Sequence, residues 1–293
     1  MTYRRETGLP GAAAGAAAAT AARAGGTWDS ALSSGEFAAI RSVGFDPVGQ
    51  VLGTAVFSIG FTGLWGCPGA WSAAADGAKE PSLAWTSSFA PLVRAMYAAR
   101  RLALARAVEE CRALGGDGIA GVELRVSEFT PETLEFTALG TAVRARSRVR
   151  PRQPFTSHLG GQDFAKLLND GRIPTGLVLG IALENRHDDW RTSRRTRWTA
   201  GNQEVDGYTL LIGQARRKAR DQLARDAAKH GGDGVVLDEL ELTVDENLCP
   251  NYGYSRDLVA EALALGTSIT RFSRSERPAG PRPLTIMRLE REH

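Results

Sequence analysis

The sequence predicts an α+β protein with two tandem units, each ordered strand, insert, helix, strand, strand. The first observation is a long segment that occurs twice, since residues 99–118 return with the same spacing as residues 215–234. The second lies upstream, where residues 37–53 align without a gap on residues 164–180. Anchors that recur in the same order are typical of an internal duplication. We therefore expect homologous units at residues 35–149 and 162–274.

The first strand of each unit is predicted from an apolar, β-branched run that follows a Pro-x-Gly turn. These runs are Gln50–Ile59 and Leu177–Leu183. A helix follows, with an alanine-rich stripe at spacings of three and four residues. Cys111 lies on this stripe, so we interpret it as a small buried hydrophobe. Narrow stripes of this kind let a helix lie close against a sheet.

Each helix is predicted to end in a glycine turn, because glycine enters the left-handed region at low cost. A phosphate-binding loop opens a helix, whereas these turns follow one and present the wrong end of the helix dipole to an anion. Asp117 and Asp233 are therefore expected to form turns. The predicted structural turn residues are Gly115, Gly116, Asp117, Gly231, Gly232 and Asp233.

Two further strands complete each unit. Apolar and polar residues alternate at Val122–Val126 and Leu240–Val244, with the period of a half-buried strand. The third strands are Leu134–Ala145 and Leu258–Phe272. Three strands and one helix make a thin core, so we expect edge pairing between chains and pairing of first and third strands between units.

Three segments are predicted to lie outside the units. Residues 1–34 read as a disordered Ala/Gly-rich tail, and residues 275–293 as a charged tail. Between the units, alternating arginines and prolines predict an extended basic linker at residues 150–161.

Composition excludes several classes of protein. The chain of 293 residues has 36 basic and 33 acidic residues, and this net charge of +3 excludes a nucleic-acid-binding surface spread over the whole molecule. Three widely spaced cysteines argue against a disulfide framework and for a reducing compartment. No apolar run reaches the roughly 18 residues of a membrane helix, so we expect a cytoplasmic protein without a membrane partner.

The anchors resemble the YbjQ-type family of small bacterial proteins, whose members are called putative heavy-metal-binding domains. The matching residues are the first strands at Val51–Gly53 and Val178–Gly180, the helices that end in Gly-Gly-Asp-Gly, and the closing strand at Gly140–Val143. The resemblance implies a dodecin-like unit and homo-oligomeric rings, typically pentamers, that form through edge strands. It supplies no metal ligand motif, and this chain departs from the family by having two units and individual inserts at residues 60–88 and 184–207.

A metal ion is the cofactor candidate, although no particular metal is implied. Soft metals prefer clustered cysteine and histidine, and hard cations prefer converging oxygens. Adjacent residues seldom converge on one ion, so a polar turn is the competing interpretation of residues 187–189. The metal candidates are Cys67, Cys249, His187, Asp188 and Asp189.

An insert in the second unit interleaves arginines with two tryptophans. This pattern suits a nucleic-acid surface, where bases stack and phosphates are bound. Tryptophan and arginine are also enriched at protein interfaces, and we favour the interface. The residues concerned are Trp190, Arg191, Arg194, Arg195, Arg197 and Trp198.

The sequence contains no recognisable catalytic motif, neither a nucleophile elbow nor a Walker-type loop nor HExxH. We therefore predict a non-enzymatic assembly protein whose main partner is itself. A metal-binding or metal-sensing module is one alternative. A nucleic-acid or small-ligand binder that uses residues 186–198 is another.

Overall fold

A computed structural model describes residues 32–58, 89–130, 133–148, 150–188, 190–248 and 256–272. Residues 1–31 of the predicted N-terminal tail, the C-terminal tail at residues 275–293, the insert at residues 60–88, Cys67, Asp189 and Cys249 lie outside the described residues. The prediction of a disordered tail is wrong for residues 32–34, because Ser33 caps the first helix and Ser34 begins it. No helix in the described ranges is long and apolar enough to cross a membrane. The elements are α1 (Ser34–Ser42), β1 (Phe45–Ser58), α2 (Ala90–Ala113), β2 (Gly118–Thr130), β3 (Thr133–Ala145), β4 (Phe155–Thr156), α3 (Gly161–Asn169), β5 (Arg172–His187), α4 (Trp190–Arg195), α5 (Asp206–Lys229), β6 (Gly234–Leu248) and β7 (Arg256–Arg271).

The strands form two sheets. Sheet A has the order β1-β3-β2-β4 and sheet B the order β5-β7-β6; the β2–β4 pair is parallel, and the other described pairs are antiparallel. Leu52 lies opposite Leu139 in sheet A, and Leu179 opposite Leu265 in sheet B. The first and third strands therefore pair within each half of the chain, and the prediction that they pair between units is wrong. Each third strand is antiparallel to both neighbours, so local pairing already fills both of its edges.

The first strands are longer than predicted because the Pro-x-Gly segment is a bulge, not a turn. The register of β1 shifts between Pro47 and Gly49, and that of β5 between Pro174 and Gly176, while pairing continues on both sides. Proline is tolerated at such a bulge because no ladder hydrogen bond needs its missing N–H.

The alanine-rich helices pack on the sheets, as the stripes predict. Helix α2 covers β1 and β3, and α5 covers β5 and β7. The approach is closest at Gly53, where a Cβ would lie 1.9 Å from the Ala103 carbonyl oxygen. Gly180 meets Ala219 in the same way at 1.9 Å. Mixed helices and sheets confirm the α+β class.

Two short helices, α1 and α3, were not predicted. A capping box starts α1, since the Ser33 side chain accepts from the Glu36 N–H while the Glu36 carboxylate accepts from the Ser33 N–H. Gly44 and Gly171 follow these helices with φ of 86° and 78°. The repeat anchors at Phe37 and Phe164 belong to these helices and not to the strands.

Much of the predicted basic linker is part of the fold. Phe155 and Thr156 form β4, and Ser157 is fully buried. The Ser157 carbonyl accepts from the Val122 N–H at 2.8 Å, and the Leu159 carbonyl from the Gly121 N–H at 2.9 Å. The linker prediction is wrong for residues 155–161, because a strand of two residues is too short to give a periodic signal in the sequence.

Side chains cap the outer edge of each first strand. In sheet B the Leu179 N–H donates to the Asp226 carboxylate at 3.3 Å, and the Ile181 N–H donates to the Tyr97 hydroxyl at 2.7 Å. In sheet A the Leu52 N–H donates to the Glu110 carboxylate at 2.8 Å. Such caps occupy donors that another strand would otherwise use.

Candidate functional site

The predicted metal ligands are not brought together in the described part of the chain. His187 ends β5, and Asp188 is buried and accepts a hydrogen bond from the Tyr208 hydroxyl at 2.7 Å. Among the described residues, no group of three or more His, Cys, Asp or Glu side chains is arranged to hold a metal ion.

Cys111 is a core thiol, as the stripe predicts. Its Sγ donates to the Gly118 carbonyl at 3.4 Å, and burial raises the pKa of this thiol to about 12. A thiol with so high a pKa stays protonated at neutral pH and is a poor metal ligand.

The arginine-tryptophan insert forms the short helix α4 and a 3-10 turn at Trp198–Ala200. Trp198 is 94% exposed, and Arg191, Arg194 and Arg197 are exposed as well. Arg195 pairs with Asp206 at the start of α5. The insert therefore presents cations and an indole to solvent, and its role in an interface or in nucleic-acid binding stays a prediction.

The glycine turns hold the ends of α2 and α5. Gly115 and Gly231 have φ of 70° and 69°. Asp117 is buried and does more than form the turn, because its carboxylate accepts from the Ala145 N–H at 2.8 Å and pairs with Arg150. Asp233 accepts from the Arg271 N–H at 3.4 Å in the equivalent position. Both aspartates thus tie a turn to the end of the third strand.

A cavity of about 410 Å³ lies between the two halves. Arg100 is buried in its wall, donates to the Met96 carbonyl at 3.5 Å, and lies 5.2 Å above the Phe136 ring. Desolvation lowers the pKa of this guanidinium, while burial raises the pKa of Glu261 on the opposite wall. The other lining residues are mostly apolar and come from β2, β3, β5, β6 and β7. The cavity thus combines an apolar body with a buried cation and carboxylates.

Sequence reasoning missed Arg100 and Glu261. Arg100 stands beside Arg101 in the same repeated motif, and only the side chain of Arg100 is buried. Its spacing of four residues from Met96 on the apolar stripe was the one available signal.

The faces of the two sheets that point away from their own helices differ in exposure. On sheet A, Leu52 is 45% exposed and Val56 is 48% exposed. Their counterparts on sheet B, Leu179 and Leu183, are buried against residues of α2. The first half of the chain thus covers the second around Leu179 and Leu183, while its own equivalent surface around Leu52 and Val56 is open.

A family profile identifies the class of protein to which part of the chain belongs. Residues 87–146, which include α2, β2 and β3, match the profile of the YbjQ family, described as "Putative heavy-metal-binding". The resemblance seen in the sequence is confirmed for this part of the chain.

A longer relative identifies the family of the chain. The encapsulin nanocompartment protein Rv1762c of Mycobacterium tuberculosis (strain ATCC 25618 / H37Rv) is 33% identical over 222 residues, which are 72% of this chain and 76% of the relative. The chain therefore belongs to the same family as this mycobacterial protein.

Proposed function

We propose that this protein is a non-enzymatic assembly protein, formed of two YbjQ-like units, that associates with further copies of itself. The relative's name supports self-association, because a nanocompartment is an assembly of many chains. The same order of strands in sheets A and B supports a second unit at residues 162–274. The absence of catalytic motifs from the sequence supports a non-enzymatic role. The pentameric ring and the cytoplasmic location stay predictions.

The observation that carries the proposal is the open face of sheet A around Leu52 and Val56. The equivalent face of sheet B is covered within the chain by α2, so the fold already contains one example of the contact. A second copy that covers the open face would repeat this contact between chains. Exposed leucine and valine side chains gain free energy when a partner removes them from water.

Native mass spectrometry of untagged protein, purified without chelator, tests the assembly. We expect a closed oligomer for the wild type and a smaller species for the double variant Leu52→Gln, Val56→Gln. The control Leu102→Gln changes a leucine on α2 that is 38% exposed and should keep the oligomer. A wild type that is a monomer at all concentrations contradicts assembly, and a double variant of unchanged mass contradicts this face.

The cavity around Arg100 favours a second function, binding of a small apolar molecule that carries a cationic group. Three glutamates (Glu239, Glu241 and Glu261) line the cavity beside the one arginine, so its charge suits a cation, and the leucines would cover the apolar body. The same mass spectra report any retained ligand. We expect an organic mass excess that is lost in Glu261→Gln, and its absence from the wild type would contradict ligand binding.

A metal excess in those spectra would instead support the metal-binding alternative. That result would direct replacement of the predicted ligands Cys67, Cys249 and His187, of which His187 lies within the described residues.

A further inference from the structure

The outer edge of β6 is open within the described residues, whereas the equivalent edge of β2 is covered. On β2 the Phe155 N–H donates to the Asp117 carbonyl at 3.2 Å, and the Ser157 N–H donates to the Ile119 carbonyl at 2.9 Å. The Val122 N–H donates in turn to the Ser157 carbonyl at 2.8 Å. By the spacing of the repeat, the corresponding groups on β6 belong to Asp233, Val235 and Asp238.

The chain contains a second copy of the segment that covers β2. Residues 28–38, Trp-Asp-Ser-Ala-Leu-Ser-Ser-Gly-Glu-Phe-Ala, align without a gap on residues 155–165, Phe-Thr-Ser-His-Leu-Gly-Gly-Gln-Asp-Phe-Ala. This alignment extends the repeat upstream into the predicted tail. Trp28 takes the place of Phe155, and Ser30 and Leu32 repeat Ser157 and Leu159.

The space needed by an aromatic ring is present at β6. Gly118 lies beside Phe155, whose Cε1 would be 2.2 Å from a Cβ at that position, so only glycine fits under the ring. The counterpart of Gly118 is Gly234, and the nearest atoms to a Cβ there belong to Ile269 at 3.5 Å and Arg172 at 3.9 Å. The second half thus keeps a glycine at position 234, although no aromatic ring of the described residues lies beside it.

The described end of the upstream segment already lies near β6. Leu32 packs against the cluster that contains Ile40, Leu159 and Phe164, and Val236 of β6 packs against the same cluster. Residues 28–31 directly precede Leu32 and lie outside the described residues. They therefore need no long connection to reach the β6 edge of their own chain.

We propose that residues 28–31 dock as a parallel strand on the outer edge of β6 in the same chain, with Trp28 over Gly234. The two halves then exchange their upstream strands reciprocally, since residues 155–159 of the second half cover β2 of the first. The Trp28 and Ser30 N–H groups donate to the Asp233 and Val235 carbonyls, and the Asp238 N–H donates to the Ser30 carbonyl.

One of the hydrogen bonds that cover the edge of β2 has no counterpart on β6. Gly121 turns its N–H toward Leu159 with φ of 64°, whereas Leu237 stays paired with Gly266 in the ladder. A leucine seldom adopts the left-handed conformation that Gly121 uses. The docked strand is therefore held by three backbone bonds.

Docking closes an edge that would otherwise be free to pair with another chain. It follows that copies of the chain do not associate through β6. This conclusion holds whether or not the proposed assembly function is correct.

Disulfide trapping tests the proposal in the full chain. In a background of Cys67→Ser, Cys111→Ala and Cys249→Ser, we expect the pair Trp28→Cys, Gly234→Cys to form a disulfide within one chain on mild oxidation. The matched control is Gly118→Cys, Phe155→Cys, because these two positions are directly paired between β2 and β4 in the structure. A disulfide between chains contradicts docking within the chain, and no disulfide while the control forms contradicts docking altogether.

Hydrogen exchange gives a second readout that does not depend on folding of the cysteine variants. In the full chain we expect Ser30→Pro to speed exchange of the Asp238 amide about tenfold or more. Proline at position 30 has no backbone N–H to donate to the Val235 carbonyl, and its fixed φ disfavours the strand conformation. Ser30→Ala keeps the backbone N–H and should leave the amide protected. If the wild-type amide exchanges as fast as that of Ser30→Pro, the strand is not docked on β6.

Discussion

Arg101 of α2 lies 3.0 Å from the buried carboxylate of Asp226 in α5, and this ion pair links the two halves of the chain. The other carboxylate oxygen of Asp226 accepts from the Leu179 N–H at 3.3 Å. One side chain therefore caps the edge of β5 and holds α2 beside it. Glu110 occupies the equivalent place in the first half and caps the Leu52 N–H.

Asp226→Ala should lower the free energy of unfolding by about 2 kcal/mol, because it leaves a buried N–H without its charged acceptor. Glu110→Ala is the matched control and should cost about 1 kcal/mol or less, since water reaches the more exposed Leu52 N–H. Urea denaturation of both variants measures the difference. Equal losses would show that burial and the link to Arg101 add nothing at Asp226.

The pH dependence of stability should change when Glu261 becomes glutamine. Burial raises the pKa of Glu261 above its ordinary value of 4.5, Arg100 lowers that pKa, and Glu241 and Asp245 raise it. The folded state therefore binds a proton more tightly than the unfolded state. The resulting stabilisation is full below pH 4.5 and is lost as the pH rises through the folded pKa.

Glu261→Gln removes this loss, so the difference in free energy of unfolding between variant and wild type should move in favour of the variant between pH 4.5 and pH 7. Chemical denaturation at the two pH values measures it. A difference that moves toward the wild type would mean that the pairing with Arg100 outweighs the desolvation of Glu261.

Gly53→Ala should destabilise the fold by about 3 kcal/mol, because the new Cβ would overlap the Ala103 carbonyl where α2 crosses β1. Gly213 offers a contrasting glycine, since a Cβ there meets nothing within 4 Å. Gly213→Ala lies inside α5 and should stabilise the protein by about 1 kcal/mol. Thermal unfolding compares the two variants, and a neutral Gly53→Ala would contradict the close approach of helix and sheet.

Cys111 should resist thiol reagents until the protein unfolds, since its pKa of about 12 leaves almost no thiolate at neutral pH. The measurement is labelling of the variant Cys67→Ser, Cys249→Ser across a urea titration, followed by intact mass. Labelling that tracks the unfolding transition agrees with a core thiol. Rapid labelling in buffer alone would show that the first half opens around α2.

Local patterns predicted the elements whose partners lie close in the sequence. The alanine stripe predicted α2 and α5, and the alternation at Val122–Val126 and Leu240–Val244 predicted β2 and β6. The helices α1 and α3 were missed because each has only nine residues, too few for a periodic signal to stand out. The bulge at Pro47 was read as a turn, because proline and glycine mark both features.

The candidate sites were harder to predict than the elements. The inter-half cavity depends on Arg100 and Glu261, which are 161 positions apart and share no motif (261 − 100). The predicted ligand His187 and the exposed Trp198 were chosen from the types of residues that are adjacent in the sequence. Residue type indicates the chemistry that a side chain offers but not the side chains that face it.

The sequence by itself determined the order of the three long strands and the long helix in each half and the close packing of helix on sheet, because periodicity and small residues act through near neighbours. Only the tertiary structure decided which surfaces are covered. Leu52 and Leu179 are the same residue at the same place in the repeat, yet the first is 45% exposed and the second 4%. Their difference arises because α2 packs against Leu179, whereas no described element covers Leu52; α1 and α3 cover the outer face of sheet A only near Val143 and Ala120. The burial of a side chain depends on the element that packs against it, and that element is set by how the two halves of the chain pack.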